Sequence, residues 1–245
     1  MEKDNQIYGI RAIMEAINSN ETIDKVFIQR GLQGSLFKEL ETLIRKKEIS
    51  SSYVPIEKLN RLTKNNHQGA IANISPITFY TIESLVEPIL QEKESPLFLL
   101  LDQISDVRNF GAIIRTAECS GVDGIIIPKK GGAPVTADTI KTSAGAAFKV
   151  PIAKVDHIKD AVFYMQASGI KVIAATEKTE SNVYQVSFKG PTAIVMGSED
   201  IGISPSVLKA ADFKAKLPLL GEIGSLNVSV ACGVFLYEAV RQRMS

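Results

Sequence analysis

Leu97-Phe98-Leu99-Leu100-Leu101-Asp102 is an unbroken apolar run that ends on an acid. Three later runs repeat the theme: Gly124-Ile125-Ile126-Ile127-Pro128, Lys171-Val172-Ile173-Ala174-Ala175 and Ala193-Ile194-Val195-Met196-Gly197. Helical stretches separate them. Strands covered on both faces of a parallel sheet lack polar alternation, and alternating β and α elements imply right-handed crossovers. The sequence from Leu97 onward therefore predicts an α/β domain with a parallel sheet. Sites in such sheets lie at the carboxyl ends of the strands, so the polar segments following the apolar runs carry the interest.

The residues before this region read differently. Lys25–Gln29 is a β-rich run, Leu36, Leu40, Leu43 and Ile44 recur at helical spacing behind Ser35, and Tyr53–Ile56 and Gly69–Ile74 complete a strand–helix–strand order. This predicts a small α/β sandwich over 1–75. Pro76, Pro88, Pro96 and the run Glu92-Lys93-Glu94 mark 76–95 as a linker, although Ile82, Leu85, Val86, Ile89 and Leu90 have the spacing of a helix. Residues 96–245 form the second domain.

Composition is that of an ordinary globular chain: 245 residues, 45% hydrophobic, 22% charged, net charge +1. No apolar run reaches the roughly 18 residues of a membrane span, and MEKDNQIYGI lacks the apolar core of a secretory signal. Cys119 and Cys232 read as small buried hydrophobes of a reducing compartment, which points to the cytoplasm. Two histidines, His67 and His157, and two scattered cysteines do not make a metal site. No Gly-x-Gly-x-x-Gly follows the first strand and no Walker loop is present, which disfavours dinucleotide and nucleotide folds. The charge balance does not announce a nucleic-acid binder. Any RNA contact must come from local clusters such as Arg45-Lys46-Lys47, Arg108 and Lys129-Lys130.

Three polar segments follow predicted strands. The first runs from Asp102 through Asn109-Phe110-Gly111 to Arg115-Thr116-Ala117; Asn109 suits a helix N-cap, and Gly121 a helix end. The second is Gly197-Ser198-Glu199-Asp200-Ile201-Gly202, where small residues allow close approach to the backbone. The third is Ser225-Leu226-Asn227-Val228-Ser229-Val230-Ala231, behind Leu217-Pro218-Leu219-Leu220-Gly221, with Ser225 and Asn227 at the mouth of a helix carrying Val228, Ala231, Phe235 and Ala239 on one face. Each segment alone reads equally as a capped helix or an ordinary turn.

Together, in this order, the three resemble the motifs of the SpoU/TrmH family of RNA ribose 2′-O-methyltransferases, of the SPOUT class, over 97–245. Ile7-Tyr8-Gly9-Ile10-Arg11-Ala12 and His67-Gln68-Gly69 resemble the accessory domain of ribosomal-RNA members, an α/β unit of the ribosomal-protein L30e/L7Ae type. The resemblance implies methyl transfer from S-adenosylmethionine to a ribose 2′-hydroxyl, on a parallel sheet closed by a C-terminal deep trefoil knot, in a homodimer joined through the knotted domain. It places Gly197, Leu217 and Leu226 against the cofactor. It matches Arg115 to the arginine assigned to catalysis, and Asn109, Glu199, Ser225 and Asn227 to the polar residues around the reacting ribose. An arginine does not readily give up its proton, so a supporting role for Arg115, holding a phosphate bidentately, is preferred over that of a base. Tyr8, Arg11, Arg30, His67 and Arg108 are candidate RNA contacts. A guanosine of large-subunit ribosomal RNA is the expected substrate. The alternatives are the same reaction on tRNA, or a non-catalytic RNA-binding protein of ribosome assembly.

Overall fold

The computed structural model describes residues 6–244, and the chain divides into two compact units, Met1–Thr78 and Phe79–Ser245. The first unit runs β1 (Gln6–Tyr8), α1 (Ile10–Asn18), β2 (Ile23–Gln29), α2 (Ser35–Lys46), β3 (Ser51–Val54), α3 (Ile56–Leu62) and β4 (Ala70–Ile74). Its sheet has the order β1-β4-β2-β3, antiparallel except for β2 against β3. The strict in–out alternation of β2 buries Val26 and Ile28 with Ala70 and Ala72 of β4, under Ile13 and Ile17 of α1 and Leu40 and Ile44 of α2. Leu59 of α3 packs with Val54 and Ile71 in a second, smaller cluster.

The second unit runs α4 (Ile82–Glu92), β5 (Leu97–Asp102), α5 (Val107–Cys119), β6 (Gly124–Pro128), α6 (Ala137–Thr142), β7 (Ile152–Val155), α7 (Ile158–Ala167), β8 (Lys171–Ala175), β9 (Thr192–Gly197), α8 (Pro205–Ala210), β10 (Phe213–Ala215) and α9 (Val228–Met244). All six strands are parallel, in the order β10-β8-β9-β5-β6-β7. The four apolar runs are strands, as expected. Phe98, Leu100, Ile126, Val172 and Val195 point to one face, where α4, α7 and α8 cover them. Leu99, Ile125, Ile173 and Ile194, equally buried, occupy the alternate positions. Helix α9 packs on β9 and against α5.

The segment 76–95, read as a linker, is in part an element of the second unit. Thr81 and Ser84 form a capping box at the start of α4, and Ile82, Leu85 and Val86 are buried in the core of that unit. Pro88 lies inside the helix, after the buried turn. Apolar burial and the capping box outweigh the proline that signals a break in the sequence. Gly124 makes room for this helix, because a Cβ there would meet Leu85 Cδ2 at 2.8 Å.

The cysteines separate. Cys232 is buried, which pushes its thiol up to about 12, but Cys119, on the last turn of α5, is exposed, contrary to expectation. The apolar stripe of α5 is carried by Phe110, Ile113, Ile114 and Ala117, and Cys119 falls outside it.

The far end of α9 is latched to the amino-terminal edge of the sheet. Arg243 Nε donates to Phe188 O (3.1 Å), Nη1 to Ser95 O (2.6 Å), and Nη2 to Gly190 O (2.9 Å) and Pro96 O (3.3 Å). Burial holds this guanidinium below its usual range, and it spends its donors on four backbone carbonyls. Arg243→Ala is expected to lower unfolding stability by about 2 kcal/mol, the cost of stranding part-buried acceptors, measured as the urea midpoint. An unchanged midpoint would show that these four bonds do not hold the end of α9.

Candidate functional site

The strand ends that matter are β5 and β9, neighbours throughout, with Asp102 in register with Gly197. The segment after β5 leads to α5 and that after β9 to α8, and these two helices lie on different sides of the sheet. Departure of adjacent strands' connections in opposite directions opens a crevice at their carboxyl ends. All three polar segments meet there.

Helix α5 is capped by Asp106, not by Asn109. Asp106 has extended backbone and its Oδ1 accepts from Asn109 N at 2.8 Å. Asn109 therefore stands at the third helical position, and its amide is free to reach sideways. Its Nδ2 donates to Glu199 Oε1 at 2.6 Å. Asn227 Nδ2 donates both to the same Glu199 oxygen, at 2.8 Å, and to Asn109 Oδ1, at 3.0 Å. Residues 90 and 118 positions from Asn109 thus close one triangle with it.

The direction of this network is settled by the third segment. Asn227 Oδ1 caps α9, accepting from Ser229 N (2.9 Å), Ser229 Oγ (2.6 Å) and Val230 N (3.4 Å). Its carbonyl being occupied by donors, its NH2 must face Asn109 and Glu199. Glu199 Oε1 receives two N–H donors, and among the described residues no hydrogen bond is seen to Oε2. Ser229 and Asp106 are functional supports that the sequence reading did not single out. An aspartate three residues before a helical asparagine, and a serine two after a capping one, were the available signals.

Gly197 has a role apart from the one expected. A Cβ on it would lie 2.1 Å from Gly202 C and Ile203 N, so the turn after β9 folds directly onto its bare Cα. Ser198 and Gly202 pair through both backbone groups, at 3.2 and 2.9 Å, which makes the Glu199 turn a closed loop. Gly197 is absent from the wall of the adjoining cleft. That wall is formed by Ala175, Met196, Leu217, Leu226, Ala231 and Phe235, with Thr176, Glu177 and Ser225 at its polar side. Leu217 and Leu226, expected against the cofactor, are both part of this wall.

Arg115 is exposed and shares no hydrogen bond with the triangle among the described residues. It lies seven residues from Arg108, also exposed, on the same face of α5, about 10 Å along the axis. Tyr8, Arg11 and Arg30 are exposed on the first unit, the last with Nε on Tyr53 O at 3.2 Å. His67 is not available as a contact. It is 9% exposed, its Nδ1 accepts from Gly69 N at 3.0 Å, and its Nε2 therefore carries the proton given to Asn60 Oδ1 at 2.9 Å. The ring braces the turn at Gln68 and Gly69, both with positive φ. His157 precedes α7 at the end of the edge strand β7, three strands from β9. Among the described residues no group of three His, Cys, Asp or Glu could hold a metal ion.

Asn227→Asp keeps the cap acceptor but sets a second carboxylate against Glu199. One of the pair must then take a proton, so its folded pKa rises above the unfolded value. The variant's stability relative to wild type is expected to fall as pH rises through the carboxylate range, and to recover below it. Asn227→Ala should lose about 1 kcal/mol of cap stability with no such pH dependence. Urea midpoints at pH 4 and pH 7 distinguish them, and equal pH profiles would mean that Glu199 does not face residue 227 in solution.

Comparison with known proteins agrees with this geometry. Residues 96–237 match the SpoU rRNA Methylase family, and residues 6–80 match the RNA 2′-O ribose methyltransferase substrate-binding family. The chain is 35% identical over 247 residues to a 23S rRNA (guanosine-2′-O-)-methyltransferase of Vibrio cholerae, covering 98% of this chain and 97% of that protein. The A. aeolicus TrmH/SpoU tRNA modifying enzyme is 32% identical, with a TM-score of 0.57, over 64% of this chain and 84% of that one. The AdoMet-bound rRNA methyltransferase of Sinorhizobium meliloti shares the fold, with 22% identity and a TM-score of 0.64 over 98% of this chain and 88% of that one. Three motif segments that converge on one crevice, and matches that span both units, establish that the chain belongs to the SpoU family of S-adenosylmethionine-dependent RNA 2′-O-methyltransferases.

Proposed function

We propose that the chain methylates the ribose 2′-hydroxyl of a guanosine in large-subunit ribosomal RNA. The observation that carries the reaction is the Asn109–Glu199–Asn227 triangle at the rim of the cleft walled by Leu217 and Leu226. The substrate follows from the likeness of both units, over 98% of the chain, to an enzyme acting on 23S rRNA, whereas the tRNA-modifying neighbour corresponds to 64% of it.

The cleft suits S-adenosylmethionine. Its apolar wall offers Leu217, Leu226, Met196 and Phe235 to an adenine ring, and loop backbone supplies polar partners. When bound, the cofactor supplies an electrophilic methyl group on a sulfonium. The residues of this chain then orient the nucleophile. Glu199 Oε2 accepts the ribose hydroxyl, the spare Asn109 N–H holds the sugar, and Ser225 borders the cleft. With no histidine in the crevice, Glu199 Oε2 is the group placed to take the hydroxyl proton as the methyl is transferred, and activation rests on orientation rather than on a neutral-pKa base. Arg115 and Arg108 grip phosphates of the strand, Arg115 through its planar fork beside the reacting ribose. Exposed Tyr8, Arg11 and Arg30 extend RNA contact to the first unit.

The insertion of β9 between β8 and β5 and the pairing of Lys216 with 181–183 support a knotted C-terminal loop system. Exposed Ile201, Leu220, Ile223, Val230 and Tyr237 support burial of this region in a homodimer, since a monomer gains nothing from such a surface. The mixed sheet of the first unit supports the L30e/L7Ae likeness. No helix among the described residues is long and apolar enough to cross a membrane, and we assign the protein to the cytoplasm, where its proposed substrate is made.

Labelled methyl transfer is expected at one ribose of unmodified 23S rRNA and not in tRNA. Arg115→Ala is expected to lose about 100-fold or more in rate, within the range set by positioning. Arg115→Lys should also fall well short of wild type and keep the same pH–rate profile. Near-normal Arg115→Lys activity would sink the bidentate grip, and label in tRNA alone would reverse the substrate. Removal of residues 1–78 is expected to preserve cofactor binding, read as a ligand-induced thermal shift, while abolishing RNA methylation. Full activity of the shortened chain would overturn the division of labour.

A further inference from the structure

We infer that Asp102 is a positioning residue for Glu199, acting through the loop 198–204; the inference rests on the reaction proposed above. Asp102 ends β5, is 4% exposed, and its Oδ2 accepts from Ser204 N at 2.7 Å. A carboxylate at the end of a buried parallel strand is costly unless strongly hydrogen-bonded, and a charged acceptor on a backbone N–H is about twice as strong as a neutral one.

The bond falls where the loop needs it. Residues 198–202 move as one body, because Ser198 and Gly202 pair through both backbone groups and Ser198 Oγ accepts from Ile201 N at 3.3 Å. That body packs on β9 at Gly197, whose bare Cα lets Gly202 and Ile203 press onto the strand. This packing ties the loop, with Glu199 at its exposed tip, to β9 alone. Asp102 pins the returning end of the loop at Ser204 to the neighbouring strand, on the residue in register with Gly197. The loop is thus held at both ends. The same segment of chain, seven residues on, supplies Asn109. Asp102 therefore fixes the first polar segment against the second before either meets Asn227.

The test uses the full chain. Asp102→Ala removes the acceptor and Asp102→Asn keeps an oxygen there. Ser204→Pro removes the donor N–H from the other side, at a residue whose φ of −57° and ψ of 143° a proline accepts. Asp102→Ala and Ser204→Pro are expected to lower kcat at least tenfold, with cofactor affinity and RNA KM within threefold of wild type. Asp102→Asn should stay within about threefold. In an Glu199→Ala background, Asp102→Ala should change kcat less than twofold, since both act through one carboxylate. Amide hydrogen exchange is expected to speed up at least tenfold over 201–203 in Asp102→Ala and in Ser204→Pro, and not in α5. Multiplicative kcat losses in the double variant, or losses in KM matching those in kcat, would overturn the inference. So would unchanged exchange over 201–203, a readout that stands even if Asp102→Ala proves unstable and only Ser204→Pro is purified. A wild-type chain that binds cofactor but methylates no RNA would defeat the proposed reaction instead, and exchange would still decide the role of Asp102.

Discussion

The pairing of β5 with β9 is the constraint on which the second unit rests. Six residues of each run in register, from Leu97 against Thr192 to Asp102 against Gly197. These strands are about a hundred residues apart in the chain, so nothing local brings them together. Burial on both faces does, because all six positions of each strand are buried. Once paired, their ends lie side by side and their connections leave for opposite faces of the sheet. The crevice is a consequence of topology, and the polar segments only have to be short enough to stay in it.

The triangle of Asn109, Glu199 and Asn227 shows how hydrogen-bond direction propagates from secondary structure into a site. Asp106 takes the helix-capping task and so releases Asn109. Asn227 does cap its helix, and for that reason presents its NH2 outward. The two asparagines have opposite relations to their helices and end with complementary groups facing one carboxylate. Glu199 receives both on a single oxygen. A capped helix and a functional polar residue are here one arrangement, since the cap sets the orientation that the chemistry uses.

Apolar surface is distributed unevenly in this unit. The cleft wall of Leu217, Leu226, Met196 and Phe235 stands beside polar groups, while Leu220 and Ile223 on the same loop are exposed, at 100% and 80%. The same loop thus presents apolar groups both to the cleft and to solvent.

Much was legible in the sequence. Continuous apolar runs without alternation identified β5, β6, β8 and β9, and the polar segments after them contained Asn109, Glu199 and Asn227, which the structure brings together; Leu217 and Leu226 came from the family resemblance. These are local signals, carried by residues that neighbour one another in the chain. Tertiary structure alone decided the rest. Only strand order put Asp102 beside Gly197 and left His157 three strands away. Only packing drew 82–92 into the second core despite Pro88, and turned His67 inward between Asn60 and Gly69. Residue type specifies which groups a side chain is able to bond, but the partner it takes depends on which distant segment arrives next to it, and burial of the sheet is what determines that arrival.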